Sequence, residues 1–210
     1  RREIAYYMSV LQVDTIQDSA GTTNKELAQY SSGNWSWGSG IPAGSVLQVV
    51  CTPKTDTTLC QTTNTLVTYT TATIQTKIAN SKILVCHTVE YGNAANAYSF
   101  GKYYRTVSGD SDVQLFNMTA SSHGTNANTG NWSIYLDGYN DANETYKTRI
   151  KRFEVLDAPN KASGSTISYV FKAAAGQGGV DTAINRSYID PGDNYRGPGC
   201  TTTVLYEIAP

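Results

Sequence analysis

Ten consecutive residues, Lys82-Ile83-Leu84-Val85-Cys86-His87-Thr88-Val89-Glu90-Tyr91, alternate as a strand with one buried side does. In an extended chain, successive side chains point to opposite faces. Ile83, Val85, His87, Val89 and Tyr91 therefore share one face, and Leu84, Cys86, Thr88 and Glu90 take the other. Comparable runs follow from Ser45 to the end: Ser45–Cys51, Thr63–Gln75, Tyr98–Arg105, Val113–Thr119, Asn131–Gly138, Tyr146–Leu156, Thr166–Ala173 and Thr201–Ile208. Turn residues separate most of them, and nothing after residue 44 shows a 3.6-residue period. The pattern predicts an all-β chain, an antiparallel β-sandwich of jelly-roll type rather than an α/β fold. No repeat recurs at a fixed period, which argues against a propeller or a β-solenoid.

Before Gly44 the character differs. Apolar residues are sparse and mixed with Asp, Gln, Ser, Gly and Asn. This divides the chain into residues 1–43, an extended N-terminal arm, and 44–210, the sandwich. Within the arm, Ser9–Ile16 reads as a short strand and Asn24–Tyr30 as a single helical turn capped by Thr22, Thr23 or Asn24. Ser31–Gly40 is rich in Gly and Ser yet holds Trp35 and Trp37, which an ordinary flexible linker lacks. In an extended chain the two indoles fall on one side, so they need a surface to pack on: a neighbouring subunit or the chain's own domain. Fully extended, such an arm reaches roughly 130 Å, enough to cross between subunits.

Composition narrows the function classes. Charged residues are only 16 % and the formal net charge is −1. A nucleic-acid partner would call for a basic excess, so none is expected. No apolar run is long enough for a membrane span, and no membrane insertion is expected. Arg1–Tyr7 is basic without a following apolar stretch, so no signal peptide is visible. Met8 is a candidate internal start, which sets residues 1–7 aside.

The four cysteines, Cys51, Cys60, Cys86 and Cys200, form no CxxC, and His87 and His123 are the only histidines. No zinc site or other metal site is expected from that spacing, and no cofactor. The thiols read as buried and reduced, with Cys51–Cys60 and Cys86–Cys200 pairings left open.

No catalytic residues are expected either. His87 reads as a core or inter-strand histidine, and His123 sits in a polar loop. There is no nucleophile elbow, P-loop or dinucleotide fingerprint. Asp110, Asp112, Asp137, Asp141, Glu144 and Asp157 could pair for glycoside hydrolysis by location only, and each is more simply a turn or surface residue. Asp137–Asp141 and Asp190–Asn194 cluster oxygen ligands without calcium-loop spacing, and turns account for them. Five N-x-S/T sequons, at Asn34, Asn117, Asn131, Asn143 and Asn185, are what chance supplies in so Asn- and Thr-rich a chain. Lys147, Arg149 and Lys151 share one strand face, read as solvated.

The most suggestive stretch is 92–143, dense in Asn, Gly and Ser, with Tyr98, Phe100, Tyr103, Tyr104, Trp132, Tyr135 and Tyr139. Rigid aromatics among small polar residues make adaptable recognition surfaces. Of these, Tyr98, Tyr103, Tyr104, Trp132, Tyr135 and Tyr139 are the candidate ligand-binding residues. The competing account is that they fill the core and subunit interfaces, since a chain with 15 Tyr and 4 Phe must build with Tyr.

A succession of short segments carries a resemblance. Gly44–Val50, Ser81–Val85, Leu156–Pro159, Ile184–Ser187 and Thr203–Pro210, in that order, resemble a recurring domain of phage tail fibres and other virion appendages. Val10–Ser19 is similar to the opening of structural proteins in phages of aquatic bacteria, notably cyanophages. The resemblance implies a β-sandwich that trimerises and is joined to the particle by its N-terminal arm, with no catalytic site. The expectation is a short homotrimeric fibre on tail, neck or head that displays a receptor-binding domain for host attachment. Its partners would be itself, other virion proteins and a host cell-surface glycan or protein. It would reside in the virion after assembly in the host cytoplasm. Val10, Val13, Ile16, Trp35 and Trp37 would anchor it. The alternative is a capsid or neck decoration protein with a particle-stabilising role.

Overall fold

The computed structural model describes residues 15–17, 26–31, 34–37, 41–60, 65–93, 99–115, 134–137, 148–175, 182–187 and 199–210. Before residue 41, and at 99, 134–137 and 175, the description is of the backbone alone.

All regular structure among these residues is strand. In chain order come β1 Thr15–Gln17, β2 Glu26–Ser31, β3 Asn34–Trp37, β4 Val46–Lys54 and β5 Thr58–Cys60. Next are β6 Val67–Gln75, β7 Lys82–Asn93, β8 Ser99–Val107, β9 Val113–Leu115 and β10 Ile134–Asp137. The last four are β11 Arg149–Asp157, β12 Thr166–Ala175, β13 Thr182–Ile184 and β14 Thr201–Ile208. Every pairing is antiparallel.

Three sheets result. β1, β2 and β3 form a small meander. A second sheet runs β10-β8-β12-β6, with β9 also on β8. The third runs β4-β14-β7-β13-β5, with β11 on the opposite edge of β7. β14 and β13 lie end to end along one side of β7, and β4 and β5 continue the same two tracks. Pro53 is tolerated in β4 because that strand is an edge, where a missing N–H costs no ladder bond. The opposite edge, β11, carries Arg149, Lys151 and Arg152, charges that discourage a further strand from adding.

The second and third sheets stack face to face as an antiparallel β-sandwich. Tyr69, Ile74, Tyr103, Ile167, Tyr169 and Phe171 from one meet Ile83, Val85, Val89, Tyr91 and Leu205 from the other. Each such side chain, fully buried, contributes about 1.5–3 kcal/mol. Ile83, Val85, His87, Val89 and Tyr91 all face this core, as their alternation predicts. Tyrosine does serve as core material, and Tyr169 brings its hydroxyl to a partner, donating to Asp157 Oδ2 at 2.8 Å.

One asparagine closes the junction between the collinear strands. Asn185 is fully buried with φ 60°, a left-handed conformation that asparagine adopts more readily than other non-glycine residues. Its Nδ2 donates to the carbonyls of Lys54 (2.7 Å) and Asp56 (2.9 Å), and its Oδ1 accepts from Thr201 Oγ1 at 2.7 Å. Its backbone N–H donates to Glu90 O at 2.9 Å, and its carbonyl accepts from Gly199 N at 2.8 Å. The interrupted ladder is thus satisfied by a single residue. The sequon at this position is closed by the same bonds.

Three expectations need correction. Glu26–Ser31 is a strand, not part of a helical turn, because it pairs on both sides, with β1 and with β3. The described backbone of residues 15–37 is therefore paired with itself rather than stretched out as a bare arm. Cys51 and Cys200 are exposed rather than buried, and all four cysteines are free.

Candidate functional site

The residues expected to anchor the chain lie partly in the meander. Backbone register puts Ile16, Ala28 and Trp37 in one row across β1, β2 and β3. Tyr30 stands opposite Trp35, two positions along β2. Strand alternation then places these five positions on one side of the small sheet. Ile16, Trp35 and Trp37 are so brought together. Val10 and Val13 lie outside the described residues.

The six candidate ligand-binding residues fare less uniformly. Tyr98, Trp132 and Tyr139 are outside the described residues. Tyr135 is described as backbone, opposite Phe100 in the β10–β8 pair. Tyr103 must be corrected: it is 0 % exposed, its ring 5.3 Å from that of His87 and 6.1 Å from that of Phe171. Strand alternation turns it into the core, where no outside ligand reaches it. Its neighbour Tyr104 takes the opposite face and is half-buried, with Lys172 Nζ 4.9 Å from the ring centroid, a cation–π contact. Burial, and then the charge of Asp112, raise the pKa of its hydroxyl.

Several of the described carboxylates have partners. Asp157, almost buried at the end of β11, accepts from Arg105 Nη1 at 2.7 Å as well as from Tyr169. Burial first, then Asp157, push the Tyr169 hydroxyl pKa far up. Asp110 is ion-paired with Lys161, and Asp112 accepts from Thr106 Oγ1 at 2.8 Å. Glu207 is fully buried and accepts from Gln48 Nε2 (2.6 Å) and from the backbone N–H groups of Lys77 (2.7 Å) and Ile78 (3.3 Å). It clasps the β6–β7 connection to the third sheet. Asp137 is described as backbone, and Asp141 and Glu144 are not described. Among the described residues, no group of three or more His, Cys, Asp and Glu side chains could hold a metal ion.

The feature that sequence reading missed is the outer face of the third sheet. On the second sheet most outward positions are those expected in water: Thr71, Thr73 and Gln75 on β6, Ser168 and Lys172 on β12, Thr106 on β8, with Val170 and Tyr104 opposite each other among them. Thr73 Oγ1 and Ser168 Oγ share a cross-strand hydrogen bond at 2.9 Å. The third sheet is more apolar, with Lys82, Glu90, Arg152 and Glu154 as the charged residues among its outward positions on β7 and β11. One row across β4, β14, β7 and β11 reads Val49, Tyr206, Leu84, Leu156. The next reads Cys51, Val204, Cys86, Glu154, and at the near end Val46, Ile208 and Lys82 make a third row. Val46, Val49 and Leu156 are each 54 % exposed.

β14 shows the inversion most clearly. Its inward side carries Thr201, Thr203, Leu205 and Glu207, all buried, while Thr202, Val204, Tyr206 and Ile208 face outward. The more apolar side of the strand is the one turned away from the core. Contiguous apolar rows on an outer face mark a surface that meets something other than water.

No protein-family model matches the chain, and no match was found among curated proteins. Distant likenesses occur among solved structures. A chain from the structure of infectious bursal disease virus, Gx strain, is 10 % identical at TM-score 0.42, over 92 % of this chain and 44 % of that one. One from T=1 particles derived from the bursal virus is 11 % identical at TM-score 0.43, over 93 % of this chain and 44 % of that one. This chain thus spans less than half the length of those it matches. Similarity at that level carries no argument about function, and the sandwich stands on its own strand pairing.

Proposed function

We propose that this chain is a structural protein of a bacteriophage particle, a short homotrimeric fibre of the tail, neck or head. Residues 1–43 attach it, with Ile16, Trp35 and Trp37 in the contact, and residues 44–210 form the sandwich displayed to a host-surface glycan or protein. It is non-enzymatic, a component of the virion assembled in the host cytoplasm.

The observation that carries this reading is the apolar outer face of the third sheet. A monomeric sandwich turns its polar positions outward on both sheets. In this one the outer face of the third sheet carries apolar rows beside its charged positions. A surface of that kind suits a protein whose working state is an assembly. The succession of segments resembling phage appendage domains supplies the phage context. Tyr104 and Lys172 on the polar outer face, near the β10 strand that holds Tyr135, are the described part of the candidate ligand surface.

A decoration protein that only stabilises the particle is the second reading. The burial of Tyr103 favours it, since it takes one residue from the expected ligand surface.

The test is particle composition. Purified particles of the virus that carries this gene are analysed by mass spectrometry and labelled with gold-conjugated antibody raised against the chain. The proposal expects the chain in the particle, with label at an appendage. Label spread over the whole shell selects the decoration reading, and absence from purified particles overturns both.

A further inference from the structure

Two lysines stand directly opposite each other on the outer face of the second sheet, Lys102 of β8 and Lys172 of β12. We infer that this pair, with Tyr104, is a recognition site for an acidic saccharide, whose carboxylate sits between the two ammonium groups. The inference rests on the display reading just given and deepens it by naming the ligand class and the residues that take it.

Three observations support it. The first is charge placement. Side chains directly opposed on one face start about 5 Å apart, and like charges so placed cost stability. The other outward positions of β6, β8, β9 and β12 are uncharged. Among the described residues of these strands, the outward charge is thus gathered at one point, and it is positive. An anion between the two groups turns that cost into an attraction.

The second is shape. Ala174, the next outward position on β12, is fully buried, whereas Thr68 and Thr71 on β6 are exposed. The face is covered on one side of the lysine pair and open on the other. Lys102, Lys172 and Tyr104 are half-buried at that step. Partly buried charges are screened by salt much less than charges on an open surface.

The third is chemistry. Lys172 Nζ lies 4.9 Å from the Tyr104 ring centroid, a cation–π contact that holds the ammonium group in place. The Tyr104 hydroxyl, its pKa raised by burial and then by Asp112, is a donor at neutral pH. A carboxylate has two oxygens and accepts from both ammonium groups at once. Beside them, Thr68 opposite Lys172 and Thr71 opposite Val170 offer hydroxyls to those of a sugar. A long polyanion such as a nucleic acid calls for a basic stripe, which two lysines do not make.

The experiment is calorimetric titration of the full chain in its native assembly. The acidic probes are oligogalacturonate and sialyllactose. Their neutral counterparts are the methyl-esterified oligomer and lactose, and inorganic phosphate is the simple anion. The inference expects at least one acidic probe to bind, and its neutral counterpart to bind roughly tenfold more weakly or not at all. Lys102→Gln and Lys172→Gln should each weaken binding by about tenfold, and Lys172→Arg, which keeps the charge, by much less. Lys82→Gln, at an exposed position of the third sheet, removes the same charge elsewhere and should bind as wild type does. Far-UV circular dichroism and native mass verify that each variant keeps its fold and assembly.

Four results overturn the inference. They are no binding of any probe, neutral sugars bound as tightly as acidic ones, phosphate bound as tightly as the acidic sugar, and Lys82→Gln as damaging as Lys172→Gln. The particle-composition test is read separately, so a virion protein that fails here loses only this ligand assignment.

Discussion

His87 makes stability depend on pH in a window where few other groups titrate. The imidazole is 1 % exposed, with the rings of Phe171, Tyr103 and Phe153 at 4.6, 5.3 and 6.4 Å. Nδ1 is bonded to Thr203 Oγ1 at 2.9 Å, and Nε2 has no hydrogen-bond partner. Burial takes its pKa down from the usual 6.5 to about 3. Between those values the unfolded chain holds a proton that the folded chain does not. Stability therefore falls with acidification, by about 1.4 kcal/mol per pH unit. Above 6.5 both states are neutral, and below about 3 both are protonated, so the dependence vanishes at either end. The full span amounts to about 5 kcal/mol, comparable with the whole stability of many domains.

Carboxylates complicate only the lower part of this window, because unfolded Asp and Glu titrate near 4. Urea unfolding at pH 6.5 and pH 5, at fixed ionic strength and protein concentration, isolates the histidine. Wild type should lose about 2 kcal/mol between them. His87→Gln, which keeps a polar group for Thr203 but cannot titrate there, should lose almost none. A wild type equally stable at both pH values, or a slope that survives His87→Gln, refutes the reasoning.

The buried polar groups give three further expectations. Asn185→Ala removes three side-chain hydrogen bonds and leaves φ 60° to a residue that resists it, so thermal or urea unfolding should show a loss of about 3–5 kcal/mol. Glu207→Ala strands the N–H groups of Lys77 and Ile78 and should cost about 3 kcal/mol, with hydrogen exchange rising first at those two amides. Arg105→Ala leaves Asp157 buried with only Tyr169 as donor and should cost about 3–5 kcal/mol in urea unfolding; Arg105→Ala/Asp157→Asn should recover part of that, since it removes the stranded charge.

The sandwich was legible where alternation and burial agree. Lys82–Tyr91 placed five residues correctly on the core side, and Thr201–Ile208 was bounded to the residue. Short strands were not legible. β5 and β13 have three residues each, too few for a period, and exist because they pair with each other and β13 with the end of β7. β2 looked helical by composition, and pairing on both edges decided otherwise. Tyr103 and Tyr104 are adjacent, so a strand must send one inward, and composition could not say which. The outer face of the third sheet was hidden for a stronger reason. Periodicity assigns the more apolar side of a strand to the core, and in β14 that rule gives the wrong side. Glu207 and Thr203 are inside because they have hydrogen-bond partners there, in Gln48, the 77–78 backbone and His87. Asn185, dismissed as a chance sequon, carries no sequence signal of its role beyond asparagine's tolerance of positive φ.

The central claim is that this chain is an assembling structural protein, and its mass in solution tests that most directly. Native mass spectrometry of the full-length wild type, at micromolar concentration and neutral pH, should give three times the 22.7 kDa chain mass. A stable species at 22.7 kDa would contradict the account.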